Sequence, residues 1–177
     1  QKDCPFELSL DRKGYGSPIL DVYIENKSSK EQLLMTNQFL QPSKFVIIDK
    51  SGKEIIPKDV SKEYNLNGDN FKPTYIKIPR TGPAGWSWLH KKGDDYERVI
   101  FDVEKGNIYS LLWYPYKYEL KPGGYKMYLV WESKVDWEID KEGKKVKVDV
   151  WLGRVKSNEV VFDLPVPIKP EKVRLIV

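Results

Sequence analysis

The chain has 177 residues, of which 40% are hydrophobic and 32% charged, so it encodes a folded globular protein. Its net charge of +4 comes from intermixed lysines and acids, which argues against a nucleic-acid-binding patch. The single cysteine, Cys4, excludes an intrachain disulfide and a cysteine-based zinc site. We expect no membrane span, because no apolar segment approaches the roughly 18 residues that a spanning helix needs.

The apolar pattern along the chain predicts strands. Ala84 is the only alanine, and this scarcity disfavours long helices because alanine is the best helix former. Apolar and polar residues alternate instead at 6–10, 20–24, 99–103, 125–131, 146–150 and 160–164. The apolar runs at 45–49 and 108–113 predict further strands, and 50–53 predicts a hairpin turn. The alternation places one set of side chains in a shared core: Val146, Val148, Val150, Val160, Phe162 and Leu164.

The segment 120–125 (Leu-Lys-Pro-Gly-Gly-Tyr) is a turn that leads into a strand. Pro122 fixes one backbone angle, and the two glycines after it suit a tight corner. A tyrosine directly after such a corner predicts a tyrosine corner, in which the Tyr125 hydroxyl bonds to backbone upstream.

Residues 58–95 interrupt the regular β pattern. A short strand is predicted there, at 74–78, and 57–64 is a plausible short helical segment because proline suits a first helical turn. The rest is rich in Gly, Pro, Asn and Asp. We therefore expect a single domain over 1–177 with an irregular insertion at about 58–95. A connection of this length is often functional.

Two pairs of segments resemble bacterial immunoglobulin-like modules of exported proteins. The late strands carry the pattern at 120–125 and at 150–162 (Val-Trp-x-Gly-x-Val-x-Ser-Asn-Glu-Val-x-Phe), and the segments 19–26 and 45–54 resemble the early strands. The resemblance implies an all-β, immunoglobulin-like antiparallel β-sandwich at the cell envelope or outside the cell. The bacterial intracellular proteinase inhibitor family has a similar layout.

Few residues suggest catalysis or metal binding. His90 is the only histidine, so transition-metal sites are not indicated. No Gly-x-Ser-x-Gly motif accompanies it, and Cys4 lacks a neighbour that would lower its pKa. Alternate acids at 136–142 and oxygen-bearing side chains at 65–70 suit either calcium binding or solvated turns. We expect the turns and no cofactor.

Aromatic residues in turn-rich segments are the candidate binding residues. With the neighbouring histidine they are Trp86, Trp88, His90, Trp113, Tyr114 and Tyr116. Exposed aromatic rings bind sugars or anchor protein partners. The same rings also suit a structural role, in which they cap the open ends of the sandwich.

The sequence therefore predicts a non-enzymatic, extracytoplasmic binding or assembly module that uses end-loop aromatics or edge strands. Its partner is expected to be a protein or a glycan. An alternative hypothesis is a proteinase inhibitor that presents an exposed loop such as 80–90. A hypothesis of another class is a hydrolase acting on polysaccharide or peptide, for which no residue pair stands out.

Overall fold

The computed structural model describes residues 3–13, 19–35, 43–64, 72–78, 97–100, 102–104, 107–113 and 115–166. Within these ranges the regular elements are strands, apart from a 3-10 helix at Ser61–Tyr64. The first strands are β1 (Phe6–Lys13), β2 (Ile19–Asn26), β3 (Gln32–Met35), β4 (Lys44–Asp49), β5 (Lys58–Asp59), β6 (Tyr75–Ile78), β7 (Glu97–Ile100) and β8 (Asp102–Glu104). The later strands are β9 (Ile108–Trp113), β10 (Tyr116–Leu120), β11 (Gly123–Ser133), β12 (Trp137–Ile139), β13 (Lys145–Lys147), β14 (Gly153–Lys156) and β15 (Val160–Leu164). The prediction of an all-β fold is confirmed.

All strand pairs in the described residues are antiparallel. The β2 sheet has the order β1-β2-β7, and the β9 sheet has the order β5-β10-β9-β8. In the β11 sheet, β4 pairs with one edge of β11, while β14 and β15 pair with the other. Two smaller pairs, β3-β6 and β12-β13, complete the described topology.

One hydrophobic core joins the three larger sheets. Its buried members come from β1, β2, β4, β9, β10, β11 and β15, together with Leu34 and Trp151. The predicted alternation in β11 is confirmed, because Tyr125, Met127, Leu129 and Trp131 are all buried. The alternating residues of β1 and β2 also enter the core as expected.

A β-bulge separates β14 from β15. Val130 lies opposite Lys156, but Met127 lies opposite Val160, so the β14–β15 side has one more residue between these pairs than β11 has. Ser157 completes the hydrogen bonding of β11 at the bulge. Its N–H donates to the Leu129 carbonyl at 2.9 Å, and its hydroxyl accepts from the Leu129 N–H at 2.8 Å. The bulge therefore leaves the Leu129 backbone fully bonded.

The residue after Ser157 links two sheets. The Leu10 N–H of β1 donates to Asn158 Oδ1 at 2.7 Å, and Asn158 Nδ2 donates to the Leu10 carbonyl at 3.0 Å. A side-chain amide thus bonds to both backbone groups of an edge residue, as a neighbouring strand would. The β2 sheet is held to the β11 sheet through this contact.

Aromatic side chains join the β9 sheet to the β11 sheet by hydrogen bonds. The Tyr118 hydroxyl donates to the Phe45 carbonyl at 2.8 Å, and both residues are fully buried. The Tyr109 hydroxyl donates to the Pro165 carbonyl at 2.6 Å. Each ring therefore fills the core while its polar atom is satisfied by backbone of the other sheet.

Burial of Tyr118 predicts a loss of stability at alkaline pH. Desolvation of the phenolate raises the pKa of this tyrosine far above its ordinary value of 10.0. A raised pKa means that the folded protein holds the proton more tightly than the unfolded chain does. The contribution of protonated Tyr118 to the free energy of unfolding is complete below pH 10. Above pH 10 the free energy of unfolding falls by up to about 1.4 kcal/mol per pH unit. Urea denaturation between pH 9 and 11.5 measures this slope, and Tyr118→Phe is expected to reduce it; an unchanged slope contradicts the assignment.

The predicted tyrosine corner is present. The Tyr125 hydroxyl donates to the Lys121 carbonyl at 2.8 Å, across the corner that precedes β11. The ring stacks on Phe162, with centroids 5.8 Å apart. One side chain therefore ties the turn to the core.

Tyr125→Phe is expected to lower the free energy of unfolding by about 1–2 kcal/mol, because the Lys121 carbonyl loses its donor while the ring stays in place. Equilibrium denaturation in urea measures the difference. Tyr128→Phe is a suitable comparison, since that half-buried tyrosine has no hydroxyl hydrogen bond among the described residues. An unchanged midpoint for Tyr125→Phe would show that the corner bond contributes nothing.

The shared-core prediction for the last two alternating segments is correct only in part. Phe162 and Leu164 are in the core, and Val160 packs against it. Val148 is 9% exposed but lies outside the main core, and Val146 and Val150 are half-buried. The reason is that, among the described residues, β13 pairs with β12 alone and forms a hairpin apart from the β11 sheet.

Two five-residue turns have the same hydrogen-bonding pattern. Asp49-Lys-Ser-Gly-Lys53 and Asp140-Lys-Glu-Gly-Lys144 each begin with an aspartate whose carboxylate accepts two backbone N–H groups of the turn. The glycines, Gly52 and Gly143, have φ values of 84° and 80°, which a glycine adopts without strain. The hairpin turn predicted at 50–53 is confirmed.

Part of the predicted insertion is regular. Within 58–95 the structure describes 58–64 and 72–78, which contain β5, the 3-10 helix and β6. The other residues of this segment lie outside the described ranges. β6 pairs with β3, which confirms the strand predicted near 74–78. In the described ranges, no helix has the length and apolar character needed to span a bilayer.

Candidate functional site

Four of the six predicted binding residues, Trp86, Trp88, His90 and Tyr114, lie outside the described residues. Their role therefore stays a prediction. The other two, Trp113 and Tyr116, face each other at the β9-β10 turn.

Trp113 occupies a structural position. It is only 8% exposed, and its ring meets Phe45 edge-on with centroids 4.8 Å apart. Its indole N–H donates to the Ser43 hydroxyl at 2.9 Å in a buried contact. Tyr116 is half-buried and packs against the core. These two rings therefore follow the structural role that the sequence left open for the aromatics, and they offer a partner little surface.

The metal and nucleophile candidates have structural roles where they are described. The Asp140 carboxylate is occupied by the N–H groups of Glu142 and Lys144. Among the residues that the structure covers, no cluster of three or more His, Cys, Asp or Glu is arranged to hold a metal ion. The 65–70 segment lies outside those residues. Burial raises the pKa of the Cys4 thiol, so it is less readily ionised than an ordinary cysteine.

Two carboxylates face each other on β1 and β2. Asp11 lies opposite Asp21, and Arg98 occupies the position opposite Asp21 on β7. Asp21 is buried although it points away from the core, and its Oδ2 accepts from the Tyr23 hydroxyl at 3.1 Å.

A cleft of about 520 Å³ lies between the N-terminal segment, the turn after β2 and the segment before β14. Its walls mix both charges with a few apolar groups, and its lining residues include Asp3, Cys4, Lys30, Glu31, Asp149 and Trp151. The mixture selects no single ligand chemistry.

The two outer edges of the β11 sheet differ in how their backbone groups are satisfied. In an antiparallel ladder, successive residues direct their N–H and C=O to opposite edges. Leu129 directs both groups to Ser157. Alternation along β11 then makes Tyr125–Phe162 a hydrogen-bonded pair. The backbone groups of Val161 and Asp163 consequently point away from β11.

The β4 edge of this sheet is covered. Its outward groups belong to Phe45, Ile47 and Asp49 by the same alternation. The Phe45 carbonyl accepts from Tyr118, and the Ile47 carbonyl accepts from the Ile55 N–H at 2.8 Å. The Asp49 N–H donates to the Lys53 carbonyl at 2.9 Å. A chain that added to this edge would have to displace all three bonds.

The β15 edge is open. The backbone groups of Val161 and Asp163 that point outward have no strand partner among the described residues. The Val161 side chain is 71% exposed, although valine is apolar. Exposed apolar edge strands are usually protected, because they pair readily with another chain. The β15 edge is therefore the candidate functional site of the described structure.

The sequence pattern predicted edge strands in general but did not single out β15. The alternation at 160–164 already placed Val161 on the outside, and an outward-facing valine was the available signal. Which edge stays unpaired depends on contacts such as Tyr118–Phe45, which span 73 residues.

No protein-family model, curated protein or solved structure significantly matches this chain. Function is therefore inferred from the geometry of its own residues.

Proposed function

We propose that the protein is a non-enzymatic, exported binding or assembly module with an immunoglobulin-like fold. It binds a protein partner by adding an extended segment of that partner to the outer edge of β15. Backbone hydrogen bonds provide the affinity in this mode of recognition, and side chains beside the edge provide selectivity.

The strand neighbours support the immunoglobulin-like assignment. One sheet has the order β1-β2-β7, and the other places β11 between β4 and β15. These neighbours correspond to strands A, B and E and to strands C, F and G of such sandwiches. The tyrosine at the start of β11 is in the position of the tyrosine corner, which lies near the start of strand F. The resemblance of the sequence to exported modules supports the extracytoplasmic location.

The observation that carries the proposal is the contrast between the two edges of one sheet. On β4 the outward carbonyls of Phe45 and Ile47 and the N–H of Asp49 are bonded. On β15 the outward groups of Val161 and Asp163 have no strand partner among the described residues, and they lie beside an exposed valine side chain. An added strand satisfies these groups and covers Val161. It requires no rearrangement of the core, because Phe162 and Leu164 already point inward.

Val161→Pro tests the proposal. Proline removes the outward N–H and blocks a neighbouring strand, but it breaks no bond to β11 and is tolerated on an edge. The matched control is Val161→Thr, which keeps the N–H and the branched shape. A partner isolated from the native extracellular fraction is expected to bind the wild-type and threonine proteins and to lose binding to the proline protein.

Amide hydrogen exchange locates the contact. The Val161 and Asp163 amides are expected to exchange rapidly in the free protein and to become protected in the complex. Equal binding by all three proteins, or protection confined to other segments, would refute strand addition at β15.

A further inference from the structure

We infer that the segment recognised by β15 is a short strand in which basic residues flank an apolar residue. This inference rests on the proposed function and specifies the partner of the same edge. It follows from the length of the open edge and from the side chains beside it.

Both ends of the edge are closed. At one end the Asn158 side chain is bonded to Leu10, which places β1 beside the bulge. At the other end Pro165 has no N–H, and its carbonyl accepts from Tyr109. Only the outward groups of Val161 and Asp163 lie between these points. The edge therefore accommodates a strand of about five residues, since successive residues advance by about 3.4 Å.

The side chains on the outer side of this edge are Glu159, Val161 and Asp163. Residues directly opposite on an added strand approach them most closely, and opposite charges stabilise such pairs while like charges destabilise them. A strand with Lys or Arg opposite Glu159 and Asp163, and an apolar residue opposite Val161, fits all three positions. A strand with Asp or Glu at these two positions is repelled by both carboxylates.

The existing ion pairs leave these carboxylates available. Lys156 Nζ lies 3.7 Å from Glu159 Oε1, and Lys50 Nζ lies 3.7 Å from Asp163 Oδ1. All four side chains are at least 46% exposed. Exposed pairs of this length contribute little to stability. A basic strand can replace or share these partners without exposing an unpaired charge to the core.

A second copy of the chain fits the edge poorly. Antiparallel self-pairing centred on Val161 places Glu159 of one copy opposite Asp163 of the other, so like charges meet twice. Pairing centred on Phe162 instead places Val161 opposite Asp163. The charges therefore favour a different partner over a symmetric dimer.

Two synthetic peptides test the inference, acetylated Lys-Thr-Val-Thr-Lys-amide and acetylated Glu-Thr-Val-Thr-Glu-amide. Binding is followed by the NMR shifts of the Val161 and Asp163 amides at low salt. The basic peptide is expected to bind about tenfold more tightly than the acidic one, because two attractive pairs replace two repulsive ones. The Glu159→Lys, Asp163→Lys double variant is expected to reverse this preference.

The outcomes separate the two proposals. Equal binding of both peptides, lost in Val161→Pro, overturns the charge preference and leaves strand addition in place. If neither peptide shifts these amides, the inferred partner chemistry is overturned, while amide protection in the native complex still decides strand addition. A concentration-dependent dimer that Val161→Pro abolishes overturns the heterologous partner.

Discussion

Trp113→Ala is expected to lower the free energy of unfolding by about 3–5 kcal/mol. The ring is 8% exposed and packs on Phe45, so truncation leaves a cavity in the core between the β9 and β11 sheets. The Ser43 hydroxyl also loses its buried donor. Equilibrium denaturation in guanidinium chloride, followed by circular dichroism, measures the loss.

Trp113→Phe is the matched variant for this prediction. It keeps an aromatic ring in the core and loses the indole N–H, so a smaller loss is expected than for alanine. Val161→Thr serves as an exposed control with little effect on stability. If Trp113→Ala left stability unchanged and abolished partner binding, Trp113 would be a binding residue, as the sequence predicted, and not a structural one.

Asn158→Ala is expected to cost about 2–3 kcal/mol. The substitution removes both hydrogen bonds to Leu10, and it leaves an N–H and a carbonyl of β1 unpaired at the junction of two sheets. Hydrogen exchange is expected to show faster opening of β1 than of β11. Urea denaturation measures the overall change.

Glu159→Ala is the control for this position. Glu159 follows Asn158 in the sequence, and its exposed side chain forms a long ion pair with Lys156. Loss of this side chain is expected to change the free energy of unfolding by less than about 0.5 kcal/mol. Equal stability of the two alanine variants would show that Asn158 does not hold the sheets together.

Local pattern predicted the strands whose inner face meets the common core. The alternation at 6–10, 20–24 and 125–131 required only that one side of each strand be buried, and this proved correct. The corner at Tyr125 was predictable for the same reason, because the donor and acceptor are four residues apart. These features are determined by residues close together in the chain.

Long-range pairing could not be predicted in this way. Alternation at 146–150 indicates a covered face but not which element covers it, and β13 pairs with β12 in a hairpin outside the main core. Asn158 contacts Leu10 across 148 residues, and no local pattern identifies that pair. The role of Trp113 could not be predicted from sequence for a similar reason, because an aromatic residue beside a turn suits both a binding surface and a core.

The bulge at Ser157 determines which side of β15 faces the core. Inward side chains are odd-numbered before it, as at Val155, and even-numbered after it, as at Phe162 and Leu164. The inward positions on the two sides of the bulge differ in parity, so an unbroken alternation from β14 into β15 would turn β15 over, with Asp163 in the core and Phe162 in solvent. The extra residue of the bulge prevents this. The bulge therefore keeps the apolar face of β15 on the same side of the sheet as that of β14.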